Sequence, residues 1–284
     1  MPVTPSPLRY PGGKTAITPM VTEILIENNL HSLHYVEPYA GGGGLALSLL
    51  FDNRVSQIHL NDLDISIWSV WHSLLHHTDD FIKLIETTDI TIEEWHIQRE
   101  IQNRKREVDT LTLGFSTFFL NRTNRSGIIQ KAGVIGGLEQ KSKYKLDCRF
   151  NKKSLVSKIK KIASYKSKIH LYNLDAIEFM KTTESDLNNK FYCIDPPYFN
   201  KGQSLYTNFY NHDDHSIIAQ TVKALKSKWI LTYDNTPEIK ELYSDLPQYN
   251  FYLNYTAAKK RKGTELLITC LNLDVSKSSK LLKV

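Results

Sequence analysis

The sequence predicts an α/β protein: a Rossmann-like, largely parallel sheet with a basic, mainly helical region set into it. Three observations carry this. Residues 34–51 read as a short strand, a glycine-rich turn and an apolar helix, the opening of a nucleotide-binding unit. The apolar run Phe191-Tyr192-Cys193-Ile194 reads as a buried strand and stops at Asp195-Pro196-Pro197-Tyr198. Charge is split along the chain. Residues 99–168 hold 18 Lys and Arg against 5 Asp and Glu, whereas the remainder holds 18 against 25. A basic middle in an acidic frame is the footprint of a polyanion-binding part.

The chain opens with Leu8-Arg9-Tyr10-Pro11-Gly12-Gly13-Lys14. It resembles half a phosphate loop, but the required first glycine falls at Leu8 and no strand precedes it, so a P-loop is excluded. Residues 15–30 predict an amphipathic helix. His34-Tyr35-Val36 is a strand, and Glu37-Pro38-Tyr39-Ala40-Gly41-Gly42-Gly43-Gly44 the turn that lets a ligand approach the backbone. Leu45 to Phe51 is a helix. Ser56 to Leu60 is a second strand ending in Asn61-Asp62, where an acid can bond both hydroxyls of a ribose. Gly41-x-Gly43-x-x-Ala46 also satisfies the dinucleotide fingerprint, so an NAD-dependent oxidoreductase is a rival at this point. Against it, Glu37 would be an odd neighbour for a pyrophosphate.

From Ile65 to Arg106 apolar residues recur at helical spacing, with Trp68, Trp71 and Trp95 expected in the core. His72, His76 and His77 lack an obvious further ligand, so a solvated helix is expected rather than a metal site. Leu111 to Leu120 is an apolar helix. Asn121-Arg122-Thr123-Asn124-Arg125-Ser126-Gly127 then reads as a loop of hydrogen-bonding groups, with Gln130 close behind. Arg suits guanine O6/N7 and Asn suits adenine N6/N7; a polar helix-ending loop is the plainer account. Lys152 to Lys166 is a basic helix whose lysines (Lys152, Lys153, Lys158, Lys160, Lys161) would meet phosphates or water.

Ile169 to Asn173 reads as a strand leading to Asp175, a candidate for a cofactor's adenine amino group. At 195–198 the prolines fix φ and remove two donors, leaving a stiff turn of acceptors beside a carboxylate. Such a cluster suits a planar NH₂ group, with Tyr198 able to stack on its ring. Asp and Pro also suit a plain strand-ending turn. Lys201 to Tyr210 is expected to close over the site. A helix at 213–225, a strand at 229–233, a helix at 237–243 and an antiparallel pair at 251–255 and 265–272 complete the fold. Lys259, Lys260 and Arg261 join that pair and are placed to meet the phosphates of a polyanion. Residues after Asp274 are expected to fray.

No apolar run approaches the roughly 18 residues of a membrane span, and the N-terminus has no secretory pattern. Cys148, Cys193 and Cys270 lie far apart, which fits a reducing compartment and no structural zinc.

Asp195-Pro196-Pro197-Tyr198 and Tyr10–Lys14 together resemble the Dam-like branch of the N6-adenine DNA methyltransferases, over nearly the whole chain. The resemblance implies a seven-stranded S-adenosylmethionine (AdoMet)-dependent methyltransferase sheet at 1–65 and 163–284, with a target-recognition domain at 66–162. It implies Asp195, Pro196 and Tyr198 as catalytic residues. Tyr10, Lys14, Glu37, Pro38, Tyr39, Ala40, Gly41, Gly42, Asp62, Asp175 and Asp195 would line the AdoMet site. Asn121, Arg122, Asn124, Arg125, Ser126, Gln130, Lys259, Lys260 and Arg261 would contact double-stranded DNA. No metal is required. The implied setting is the cytoplasm of a bacterium or a phage-encoded protein, with a cognate restriction endonuclease as partner in restriction–modification systems. After Leu120-Asn121-Arg122 the chain departs from the Dam pattern, so GATC does not carry over as the recognition site. A methyltransferase for an RNA base or a protein amide is the nearest chemical alternative.

Overall fold

The computed structural model describes residues 4–10, 12–200, 212–255, 261–278 and 281–283. The expected closing loop at 201–210 lies outside them, as do Lys259, Lys260 and the side chain of Arg261.

A single 3-10 turn, Lys14–Ile17, runs into α1 (Thr18–Glu27), whose first turn accepts Pro19 because its amide needs no partner there. β1 (His34–Glu37), α2 (Gly44–Phe51) and β2 (Gln57–Asn61) follow as expected. The helical middle resolves into α3 (Ile65–His76), α4 (Thr78–Thr87), α5 (Ile92–Asn103), α6 (Thr110–Thr123) and α7 (Lys152–Ala163). Then come β3 (Ile169–Tyr172), α8 (Ala176–Asp186), β4 (Lys190–Ile194), α9 (His212–Lys223), β5 (Lys228–Asp234) and α10 (Pro237–Leu242). β6 (Gln248–Tyr255), β7 (Arg261–Thr269) and the two-residue β8 (Leu282–Lys283) close the sheet. Helix starts fall where short polar side chains can accept an orphan amide: Asp64, Thr91, Asp109, Asn151, Asp175 and Thr236 each cap one. Each such cap contributes about 1 kcal/mol.

The strands lie in the order β3-β2-β1-β4-β5-β7-β6-β8. The first five are parallel, and β7 runs antiparallel between β5 and β6. The order reverses between β1 and β4, so the chain leaves these neighbouring strands in opposite directions and opens a crevice at their carboxyl ends. One contiguous apolar core joins the sheet to the helical middle.

Three expectations are corrected. Residues 121–123 are not loop but the last turn of α6, because the Asn121 amide and the Thr123 hydroxyl find buried acceptors there. The C-terminal residues do not simply fray. Val275 and Ser278 are buried, and Leu282 and Lys283 pair with Asn250 and Tyr249 of β6. Trp71 and Trp95 are core as expected, while Trp68 is only half-buried and tilts against His72.

Candidate active site

β1 and β4 run in register from His34↔Lys190 to Val36↔Tyr192. That register puts Glu37 level with Cys193, so Glu37 and, two residues further along the neighbouring chain, Asp195 both lie at the switch point. β5 and β7 add Thr232, Asp234 and Glu265, with Asp234 directly opposite Glu265 in the ladder. Lys14 enters this acidic group from its 3-10 turn. Its ammonium lies 3.0 Å from Asp195 Oδ1 and 3.5 Å from Glu265 Oε2. It also donates to the Tyr198 hydroxyl at 2.8 Å and to the Gly12 carbonyl at 3.2 Å. Lys14 is only 8 % exposed, so the attraction works with little solvent screening. The Thr232 hydroxyl donates to the same Asp195 Oδ1 at 2.7 Å. Asp195 Oδ2 takes no hydrogen bond among the described residues, and the side chain keeps 22 % exposure.

The turn beyond Asp195 is held from β5. Asp234 accepts the Phe199 amide at 3.0 Å and the Asn200 amide at 2.9 Å. Tyr198 is 7 % exposed, with its ring 6.3 Å from that of Tyr233. In this state its hydroxyl faces Lys14 rather than a stacked ring.

The glycine turn is equally fixed. The Gly41 amide donates to Asp62 Oδ2 at 2.9 Å, and the Gly41 carbonyl accepts from the Trp71 indole at 3.0 Å. The Tyr10 ring lies on Gly41 and Gly42, close enough that a Cβ on Gly41 would come within 2.6 Å of it. Gly41 also has φ +46, so only glycine suits this position. Asn61 ties the strand ends together, bonding the carbonyls of Pro38 and Leu174. The Tyr39 ring packs against the core and Ala40 is buried in it. Asp175 is exposed and caps α8.

The electrostatics suit a cationic ligand. Burial pushes the Glu37 carboxyl up to about 8, and the Asp195 charge adds to this, against hydrogen bonds from Tyr35 and the Ala46 amide. Burial, then Asp64, pushes Asp62 up to about 7. Burial also raises Glu265, with Lys14 opposing and Asp195 adding. Glu37, Asp195 and Glu265 thus surround a single described cation. AdoMet carries a sulfonium and an ammonium and no phosphate, so the acidic character of the crevice around Glu37 and Asp62 fits it. A pyrophosphate would meet repulsion.

The residues expected to read DNA divide in two. Asn121 is fully buried and bonds the Arg9 amide, the Arg9 carbonyl and the Gly127 carbonyl. Asn124 is fully buried and bonds the Trp95 indole and the carbonyls of Ile128 and Ile129. Arg122 donates to the carbonyls of Arg149 and Pro7. Burial lowers Arg122 to about 10. These three side chains spend their hydrogen-bonding capacity inside the protein. Arg125, Ser126 and Gln130 are exposed. They sit on a short loop closed by the Asn124↔Val134 bridge, where Ser126 has φ +56. Gln130 also edges a cavity of about 560 Å³ lined by Arg99, Arg104, Lys105 and Arg106. In α7, Lys152 and Lys158 donate to backbone carbonyls, and Lys161 lies over the Phe51 ring at 4.3 Å. Among the described residues no metal-holding group of three or more His, Cys, Asp or Glu occurs. None of their helices is long and apolar enough to cross a membrane.

Sequence reading missed Thr232, Asp234 and Glu265. A signal existed for the last: a lone acid opening the apolar run Glu265-Leu266-Leu267-Ile268. Thr232 and Asp234 look ordinary until β5 is placed beside β4.

A pH prediction follows from Glu37. Its folded value of about 8 exceeds its ordinary 4.5, so the folded chain holds a proton that the unfolded chain releases. Stability of the unliganded protein is fullest below about pH 4.5 for this group and falls as pH rises toward 8, by on the order of 1 kcal/mol or more. Thermal melts across that range should show the fall, and Glu37→Gln should flatten it. An unchanged slope in the variant would remove Glu37 as its source.

Comparison with known proteins adds three findings. The family described as D12 class N6 adenine-specific DNA methyltransferase matches residues 10–260. A structure of the rRNA methyltransferase aviRa from Streptomyces viridochromogenes matches at 9 % identity and TM-score 0.38, covering 92 % of this chain and 86 % of that one. A second structure of the same protein matches at 10 % and 0.34, covering 89 % and 84 %. No curated protein matches. The family match spans most of the sequence and includes the switch-point residues, so the chain belongs to the D12 class N6 adenine-specific DNA methyltransferases.

Proposed function

We propose that the switch-point crevice is where this adenine methyltransferase performs its reaction, with Asp195 as the group that engages the reacting nitrogen. The observation that carries the reading is the asymmetry of Asp195. Lys14 and Thr232 hold Oδ1, while Oδ2 is left to accept. Adenine N6 is a poor nucleophile because its lone pair is delocalised into the ring. One N6 hydrogen donates to Asp195 Oδ2 and the other to the Pro196 carbonyl, whose rigid turn fixes the direction of both acceptors. That geometry turns the lone pair toward the methyl donor and stabilises positive charge developing on nitrogen. AdoMet, when bound, supplies an activated methyl group. Tyr10, Lys14, the Glu37–Gly42 turn and Asp62 line its site. Asp175, on the exposed rim, is assigned to its adenine. The target adenine must leave the duplex stack to reach Asp195, and Tyr198 is assigned to its ring.

The region at 66–162 is assigned to target recognition and the remainder to catalysis. Within it, Arg125, Ser126 and Gln130 are assigned to base edges, with the neighbouring cationic cavity and residues 259–261 on phosphates. The bound amides of Asn121 and Asn124 and the tied Arg122 instead hold the loop that presents them. The same reading puts the protein in the cytoplasm of a bacterium or of a phage-infected cell, paired with a restriction endonuclease of matching specificity. The charge of the site favours this reading over an NAD enzyme, and the basic middle favours DNA over a protein amide.

Two experiments test these assignments. Asp195→Ala should lower single-turnover methylation at saturating AdoMet by on the order of a hundredfold or more while sparing DNA binding, measured by anisotropy. Near-normal turnover would remove Asp195 from the reaction. For recognition, Arg125→Ala should cost about 1–3 kcal/mol on the cognate site and little on random DNA. Arg104→Ala or Arg106→Ala should weaken all sequences alike and reduce the salt slope by about one unit for each phosphate no longer neutralised. Equal losses on cognate and random DNA for Arg125→Ala would show that this loop is not the reader.

A further inference from the structure

We infer that Glu265 is a positioning residue for methyl transfer, acting through Lys14 on Asp195; the inference rests on Asp195 being the catalytic group. Glu265 is 2 % exposed, and among the described residues its carboxylate is faced by the Lys14 ammonium and the Tyr198 hydroxyl. Its described ion-pair contact is the Lys14 ammonium at 3.5 Å. A buried carboxylate with so few donors is costly to keep. The sequence also sets it directly across the ladder from the buried Asp234, a like-charge pairing that weakens a sheet. Leu or Thr would serve the β7 core better, and Leu266 to Ile268 beside it are fully buried. The cost is explained if the charge does something that packing cannot.

Geometry supplies the task. Lys14 sits between two carboxylates, closer to Asp195 Oδ1 than to Glu265. Its flexible stem needs a fixed counter-charge on the far side to stay centred. Glu265 provides it from a rigid strand. Lys14 then holds Oδ1 in concert with Thr232, and Oδ2 keeps its aim. Asp234, one strand over, fixes the following turn through the Phe199 and Asn200 amides, so β5 and β7 together set the catalytic turn from behind. Glu265 touches neither adenine nor the methyl donor in this scheme.

A double-mutant cycle tests this, using single-turnover methylation by the full chain at saturating AdoMet and DNA. Glu265→Gln should lower the rate about ten- to a hundredfold, the scale of loss when the partner that orients a metal ligand is removed, with little change in AdoMet or DNA affinity. Glu265→Asp should recover part of that rate. In a Lys14→Met background the same Glu265→Gln change should have almost no further effect, because its route to Asp195 is already cut. Equal fold-losses in both backgrounds, or no loss with Lys14 present, would overturn the inference. Should Glu265→Gln alone fail to fold, Lys14→Met/Glu265→Gln should fold, since it removes both buried charges; an unfolded double variant would also overturn it. Asp195→Ala, assayed in parallel, separates the cases. If that variant stays active, the reading of Asp195 fails whatever Glu265 does.

Discussion

The Lys14 ammonium, placed among the carboxylates of Asp195, Glu265 and Glu37, is the interaction on which the site depends. It joins a residue from the start of the chain to one on β4 and one on β7. Buried charges need compensation, so the N-terminal segment must lie across the switch point for these carboxylates to coexist there. The Tyr10 ring on the glycine turn and the Asn121 amide on the Arg9 backbone hold that segment from both sides. The turn at 195–200, the glycine turn at 41–44 and the helical middle thus share one strap.

Compensation is incomplete, and the shortfall has a direction. Among the described residues more carboxylates than cations converge there, and Glu37 and Asp62 are held in the range where a proton is readily exchanged. A ligand bringing positive charge is favoured by displacing those protons. The same arrangement disfavours phosphates, which separates this Rossmann-like turn from dinucleotide-binding ones that share its glycine spacing.

The fold was largely legible because its signals are local. Alternating or continuous apolar runs marked the seven main strands, and Asp195-Pro196-Pro197-Tyr198 marked where β4 ends. The errors arose where tertiary contacts override local chemistry. Asn121-Arg122-Thr123 looks like loop because Asn and Thr favour turns, yet Arg9 and Gly127 offer Asn121 buried partners that extend α6 by a turn. Residues after Asp274 look frayed because they are polar, but β6 offers an unpaired edge. Thr232 and Asp234 were invisible, and Glu265 showed only as a lone acid opening an apolar run, because their place beside Asp195 and Lys14 is set by strand order rather than spacing. Lys152 and Lys158 look like surface charge in the sequence, whereas the fold gives each of them carbonyl partners.

The central claim is that this crevice methylates adenine N6 in DNA. The most direct measurement is nucleoside mass spectrometry of duplex DNA incubated with the purified protein and AdoMet labelled in its methyl group. The account predicts label in N6-methyldeoxyadenosine and in no cytosine product. Label on cytosine, or none from a folded protein that binds both AdoMet and DNA, would contradict it.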